Sequence, residues 1–136
     1  MPDSVTSVGE GAFMNCRSLE SVTLSKNLTE LPDNLFNGNI KLQSFVIPEN
    51  VKKIGENAFC SCSSVTSFFI PESVTYIGKK AFEGCTSVNE FEFECKTGWV
   101  CAATGGDYTV YSSDLATSYK TITKVKDYNF APWVRK

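Results

Sequence analysis

Hydrophobic and polar positions recur along the chain with a period of 23 residues. The clearest apolar column is aromatic, and its four members stand at that fixed interval: Phe13, Phe36, Phe59 and Phe82. The other apolar columns keep the same phase, without insertion or deletion between copies. The period defines four units, at residues 2–24, 25–47, 48–70 and 71–93. Because a unit this short cannot bury its apolar face alone, the pattern predicts coils that stack into a solenoid around one shared core.

Each unit contains the signals of three local structures. Residues 65–70 alternate between inward and outward positions, which is the period of a half-buried strand, so we predict one parallel strand per repeat. Residues 51–55 have the pattern of a second short extended segment. Residues 55–59 predict a glycine turn followed by a short helical turn, which forms the wall opposite the strands and directs Ala58 and Phe59 inward.

The repeat also carries a family resemblance. Residues 74–88 read VTYIGKKAFEGCTSV and follow IPES at 70–73, which resembles the repeat of the BspA-like leucine-rich-repeat proteins of bacterial surfaces. All four units match it, although the second has Ser25 for Pro, Pro32 for Gly and Asn39 for Cys, departures that conserve the coil shape. The resemblance implies a leucine-rich-repeat solenoid, a right-handed α/β-type coil. It also implies an exported protein, extracellular or attached to the cell surface, that is used in adhesion and in binding host proteins.

The period ends at Phe93, and residues 94–136 differ in character. Alternation at 108–111 and 119–125 predicts short strands, with a turn at residues 105–107. A solenoid needs a terminal element over its last apolar coil, and seven aromatic residues could supply that cover. They are Trp99, Tyr108, Tyr111, Tyr119, Tyr128, Phe130 and Trp133. We interpret 94–136 as an irregular, β-rich C-terminal cap packed on the last repeat; a separate binding module is the alternative.

The other end of the chain shows a different asymmetry. Met1 stands where the motif places Ile before Pro, and no capping segment precedes the first repeat. Val5, Val8 and Phe13 would then lie uncovered, and open parallel edges recruit other chains. We therefore expect that the natural protein extends N-terminally, as a C-terminal fragment of a longer protein would, or that this chain self-associates through that end.

Charge and composition disfavour several functional classes. The net charge of −2 does not suit electrostatic nucleic-acid binding, and this segment contains neither an 18-residue apolar run nor an export leader. The chain has no histidine, so the usual Ser/His and Cys/His catalytic pairs are impossible. Glu90 and Glu92 share one strand face, but an open wall favours a solvated acidic strip over an acid/base couple. We predict a protein that is not an enzyme and that carries no cofactor.

The cysteines allow disulfide, metal and packing interpretations. Cys16, Cys62 and Cys85 occupy one column with Asn39, where a small polar side chain satisfies backbone groups at a tight turn and a buried thiol can replace it. Stacking would bring Cys62 and Cys85 within disulfide reach, although thiols directed into a turn rarely have the required geometry. Ligand spacing for zinc is lacking. In the cap, Cys95 and Cys101 are either bridged in an oxidising compartment or free.

The outward strand positions provide the candidate site. Val46 and Phe69 are large apolar residues in a column where polar ones are expected, and such a spot often marks a contact surface. The alternative is that they suit strands, or that the cap covers them. The candidate residues for binding an unknown protein or glycan partner, such as a host-derived one, are Phe69, Val46, Gln43, Thr66, Glu90 and Glu92. In the second functional hypothesis the repeats are a structural spacer, and the ligand site lies in a region absent from this segment.

Overall fold

A computed structural model of the chain describes residues 1–94 and, beyond them, the backbone of three strands. None of the described residues is helical. The strands are β1 (Glu30–Leu31), β2 (Lys53–Ile54), β3 (Ser67–Ile70), β4 (Tyr76–Ile77), β5 (Glu90–Phe93), β6 (Trp99–Ala103), β7 (Gly106–Thr109) and β8 (Trp133–Arg135).

Two parallel ladders run along the stack of coils. In the first, β1 pairs with β2 and β2 with β4, so that Leu31, Ile54 and Ile77 are successive partners. In the second, β3 pairs with β5, and Phe68 lies opposite Phe91. Both registers advance by 23 residues, and β2 and β4 lie within the predicted second extended segment.

The strand prediction holds fully only in the third and fourth coils. The equivalent segments of the first two coils are joined by a single bridge, between Ser21 and Ser44. Phe45 offers a physical reason. Its equivalent in the first coil is Val22, so the ring of Phe45 has no aromatic neighbour from that column on the side of the first coil. The ring lies 4.7 Å from that of Phe59 in the next coil and 6.4 Å from that of Phe36 in its own.

The wall opposite the strands consists of hydrogen-bonded turns, and the predicted helical turn is not found there. Two columns of this wall have positive φ, which interrupts a helix twice in every repeat. The first column comprises Gly11, Asn34, Asn57 and Lys80, and the second Asn15, Gly38, Ser61 and Gly84. Backbone N–H groups at and between these positions donate to the next coil, as in Phe36 N to Ala58 O at 2.7 Å. The wall is therefore a third hydrogen-bonded ladder.

The predicted aromatic row runs through the core. Neighbouring rings of Phe13, Phe36, Phe59 and Phe82 are stacked, with centroids 5.5, 5.5 and 5.8 Å apart. The last three rings are buried, and Phe13 is half-buried because no coil lies on its outer side. A second aromatic column, formed by Phe45, Phe68 and Phe91, packs beside the first. The four rings share one interior, as the repeat requires.

The cysteine column is explained by packing in two of its members. Cys62 Sγ donates to Phe36 O at 3.2 Å, and Cys85 Sγ donates to Phe59 O at 3.1 Å. Both thiols are buried, and burial raises the pKa of Cys62 to about 12. Asn39 corrects the expectation for the polar member, because its side-chain amide is buried without a hydrogen-bond partner among the residues that the structure describes. A thiol satisfies this position better than the longer amide does.

The tight spacing of the coils is most evident at Gly78. Its N–H donates to Ile54 O at 2.7 Å. A Cβ atom added there would lie 2.5 Å from Glu56 N and 2.5 Å from Gly55 C, both in the backbone of the preceding coil. At Gly9, which occupies the same column in the first coil, an added Cβ would meet nothing within 4 Å. At Gly78, unlike at Gly9, the preceding coil leaves no room for a Cβ atom.

The described strands of the C-terminal region extend the first ladder. β8 pairs antiparallel with β4, and β6 pairs antiparallel with both β8 and β7. The predicted turn at 105–107 is wrong for Gly106 and Asp107, which lie in β7. The predicted strand at 119–125, the side chains of the seven aromatics and Cys95 lie outside the described residues. The division into repeats and cap stays a prediction.

Candidate binding surface on the strand face

The strand face is the outward side of residues 20–23, 43–46, 66–69 and 89–92. In β3 and β5 every second residue is exposed and the others are buried, as the alternating sequence predicts. The six predicted site residues, Gln43, Val46, Thr66, Phe69, Glu90 and Glu92, are all exposed on this face. The structure therefore brings the predicted residues together on one surface.

Two of these residues are apolar and directed toward solvent. Val46 is 75% exposed and Phe69 is 47% exposed, and the two residues belong to one column of the strand face. Their inward neighbours Ile47 and Ile70 are buried, and for Phe69 the outward direction follows from the alternation of β3. The expected apolar spot in a polar face is present.

In the fourth coil, Glu92 continues the column of Val46 and Phe69, and Glu90 continues the neighbouring column. Glu92 is the register partner of Phe69, and Glu90 is the partner of Ser67. Adjacent strands lie about 4.8 Å apart, so each carboxylate stands one strand spacing from the residue it pairs with. We call the set Val46, Phe69, Glu90 and Glu92 the apolar–acidic strip.

A groove that the sequence did not indicate adjoins the strip at Val46. It has a volume of about 480 Å³ and lies between the first and second coils. Its walls are Ser21, Val22, Thr23, Leu24, Lys26, Ser44, Phe45, Val46 and Pro48. The groove lies next to the Val22 N to Ser44 O hydrogen bond, which at 3.4 Å is long and ends the backbone pairing of these coils on this face among the described residues. The change from Val22 to Phe45 in one column was the signal that could have indicated it.

The charges around the groove are partly paired. Lys26 Nζ lies 2.7 Å from Asp3 Oδ2. This hydrogen bond lowers the pKa of Asp3 and raises the pKa of Lys26. The other ion pair in the described part of the chain joins Lys80 and Glu83 at 3.2 Å, on the turn wall. Neither pair involves the apolar–acidic strip.

Other kinds of site find little support in the described residues. Among them, no group of three or more His, Cys, Asp or Glu side chains is arranged to hold a metal ion. The part of the chain that the structure describes also contains no helix with the length and hydrophobicity needed to cross a bilayer. Glu90 and Glu92 lie on an open face, which does not exclude water as an acid/base pair requires.

The outer end of the first coil is a second apolar surface. Val5, Val8, Phe13, Leu19 and Val22 are only partly buried there. Their counterparts in the third coil include Val51 and Ile54, which are fully buried. The exposure expected from the sequence at this end is therefore present.

Comparison with known proteins identifies similar repeats. The sequence profile described as the BspA type leucine rich repeat region (6 copies) matches residues 1–100. A leucine rich cell surface protein from Faecalibacterium prausnitzii A2-165 is 44% identical, with a TM-score of 0.65 over 70% of this chain and 25% of that one. A leucine-rich repeat protein from Bacteroides ovatus ATCC 8483 is 34% identical, with a TM-score of 0.64 over 71% of this chain and 24% of that one.

A leucine rich repeat protein of T. pallidum is 26% identical, with a TM-score of 0.56 over 62% of this chain and 50% of that one. No curated protein matches the chain. The chain spans about a quarter of the length of the first two relatives.

Proposed function

The chain belongs to the BspA-type leucine-rich-repeat family, and from that premise we propose that it is a non-catalytic binding module of an exported bacterial surface protein. In this proposal the module is adhesin-like and holds a protein or glycan partner on its strand face. The surface location is supported by the F. prausnitzii relative, which is described as a cell surface protein.

The outward apolar pair Val46 and Phe69 is the observation that carries the proposal. Phe69 is held in solvent by β3, whose alternate residues are buried, so the fold cannot withdraw it without changing register. Val46 lies at the equivalent position of the preceding coil, beside the buried Ile47. Covering their exposed surfaces would contribute on the order of 2 kcal/mol to an association. The adjoining groove offers a partner further apolar contacts with Val22 and Phe45.

The absence of catalysis is part of the same proposal. The chain lacks histidine, and the strip's two carboxylates stand on an open face. Such a surface suits reversible contact with a large partner better than chemistry on a small substrate.

The experiment compares two apolar residues of equal exposure on different walls. Phe69 on the strand face and Met14 on the turn wall are both 47% exposed. The wild-type chain and the variants Phe69→Ser and Met14→Ser are each applied to an array of extracellular proteins and glycans. We expect Phe69→Ser to lose the partner that the wild type binds, and Met14→Ser to retain it.

Thermal melting checks that both variants fold. Equal binding by folded Phe69→Ser and wild type would contradict the proposal and favour the structural spacer, whose ligand site lies outside this segment.

Self-association through the outer end of the first coil is a separate proposal. It is supported by the half-buried residues Val5, Val8 and Phe13, whose equivalents are covered wherever another coil packs on them. Light scattering over a range of concentrations should show mass that rises with concentration in the wild type and less so in Val5→Glu. A wild type that stays monomeric at high concentration would contradict it.

A further inference from the structure

The apolar–acidic strip combines two kinds of recognition group in adjacent positions. Phe69 and Glu92 are direct register partners in the parallel pair β3–β5, and both are exposed. Glu90 lies two residues before Glu92 on the same strand and on the same face. An exposed aromatic ring therefore has two carboxylates beside it.

These carboxylates lack a cationic partner among the residues that the structure describes. The ion pairs found there are Lys26–Asp3, at the far side of the groove, and Lys80–Glu83, on the turn wall. Because Lys26 already contacts Asp3, the groove end of the strand face carries little uncompensated positive charge. Among the described residues, Glu90 and Glu92 therefore present two negative charges beside Phe69 without a neighbouring cation.

We propose that the partner is a protein that places an arginine or lysine side chain against Phe69 and Glu92. This inference rests on the proposed function and specifies the partner's chemistry. A guanidinium or ammonium group is attracted to the face of an aromatic ring and to a carboxylate, and arginine can do both at once. Glu90 supplies a second acceptor for the same cation or for a neighbouring one.

The strip also fixes the spacing of the partner's groups. Val46 and Glu92 are separated by two coil steps, which amounts to about 10 Å at the usual strand spacing. The matching segment therefore carries an apolar side chain about 10 Å from its cationic group. The apolar side chain contacts Val46 and enters the groove beside Phe45, while the cation contacts Phe69 and Glu92.

The test uses synthetic peptides in matched pairs. Each peptide contains leucine and arginine at the spacing above, and its pair has citrulline, a neutral group of the same shape, in place of arginine. Fluorescence anisotropy measures the dissociation constant of each peptide at low and at high salt. We expect the arginine peptides to bind more tightly than their citrulline pairs, with a difference that shrinks as salt is added.

Variants of the chain locate the effect. Exposed charge pairs of this kind are worth about two- to fivefold in affinity, so Glu92→Gln should weaken the arginine peptides by that factor. The double variant Glu90→Gln, Glu92→Gln should weaken them about tenfold and reduce the preference over citrulline to the part that the Phe69 ring supplies. Glu56→Gln, which removes an exposed charge from the turn wall, should leave binding unchanged.

The outcomes separate this inference from the proposed function. Failure of every arginine peptide to bind, or equal binding of arginine and citrulline peptides, would overturn the cation site. The cation site is also overturned if the array returns a partner, protein or glycan, whose binding depends on Phe69 but is unaffected by Glu92→Gln. In that case the proposed function stands. A partner whose binding is unaffected by Phe69→Ser overturns both.

Discussion

Replacing Gly78 with alanine should destabilise the stack, whereas the same change at Gly9 should not. Both glycines occupy one column of the repeat, and neither has a positive φ, so alanine can adopt the backbone at either position. The two sites differ in what an added Cβ meets. At Gly78 it would lie 2.5 Å from the backbone of the preceding coil, and at Gly9 it would meet nothing within 4 Å.

The magnitude follows from these distances. Carbon atoms that are not bonded prefer a separation of about 3.5–4 Å, so the fourth coil would have to move by about 1 Å. The hydrogen bond from Gly78 N to Ile54 O, now 2.7 Å long, would stretch beyond a useful length. Overpacking costs about 1–3 kcal/mol and a lost hydrogen bond about 1 kcal/mol, which together lower the free energy of unfolding by about 2–4 kcal/mol.

Thermal unfolding followed by circular dichroism provides the assay. For a chain of this size the Gly78→Ala variant should melt about 10 °C or more below the wild type. Gly9→Ala should melt within about 3 °C of it, because removing a glycine from an unstrained site slightly restricts the unfolded chain. Equal melting temperatures for the two variants would refute the close contact between the third and fourth coils.

Three further changes test the turn wall and the cysteine column. Ser61→Asn should raise the free energy of unfolding by about 0.5 kcal/mol, because asparagine, which Asn15 already supplies in this column, tolerates a positive φ better than serine does. Chemical denaturation would measure the change, with the exposed Ser7→Asn as control, and a loss of stability would count against the reasoning. Asn39→Cys should raise stability by about 1 kcal/mol in the same assay, because the buried amide has no partner; a lower unfolding midpoint would show that the amide is satisfied in solution. In the folded protein at pH 8, an alkylating reagent should modify the exposed Cys16 and spare the buried Cys62. The pKa of Cys62, about 12, leaves roughly one of its thiols in ten thousand ionised at that pH. Mass mapping that finds both cysteines modified at the same rate would contradict this.

The repeat and its core could be predicted because they depend on sequence period alone. The spacing of Phe36, Phe59 and Phe82 requires one shared row of rings, and that row is present. The exposure of Phe69 followed from strand alternation in the same way. In both cases the prediction needed only the direction of a side chain relative to its neighbours in the chain.

The turn wall was harder to predict because one repeat taken alone resembles a helical turn. Its conformation becomes evident only when the repeats are aligned, because glycine and asparagine then recur at the two positions that have positive φ. Lys80 and Ser61 occupy the same columns and obscure that signal. The Asn39 result depended on distances between coils, which the residue type does not specify.

The groove beside Val46 illustrates a different limit. It depends on how the rings of Phe45 and Phe59 meet across two coils and on where the backbone pairing ends. A column that changes from Val22 to Phe45 signals an irregularity but not its shape. Local sequence rules determine the direction of each side chain, whereas the gaps between coils arise from packing among several of them.

The central claim is that the strand face binds the partner and the turn wall does not. The most direct measurement is amide chemical-shift mapping by NMR, with the tightest ligand returned by the protein and glycan array titrated into the labelled chain. The account predicts shifts concentrated at residues 43–46, 66–69 and 89–92. Shifts centred on the turn wall, at residues 33–38, 56–61 and 79–84, would contradict it.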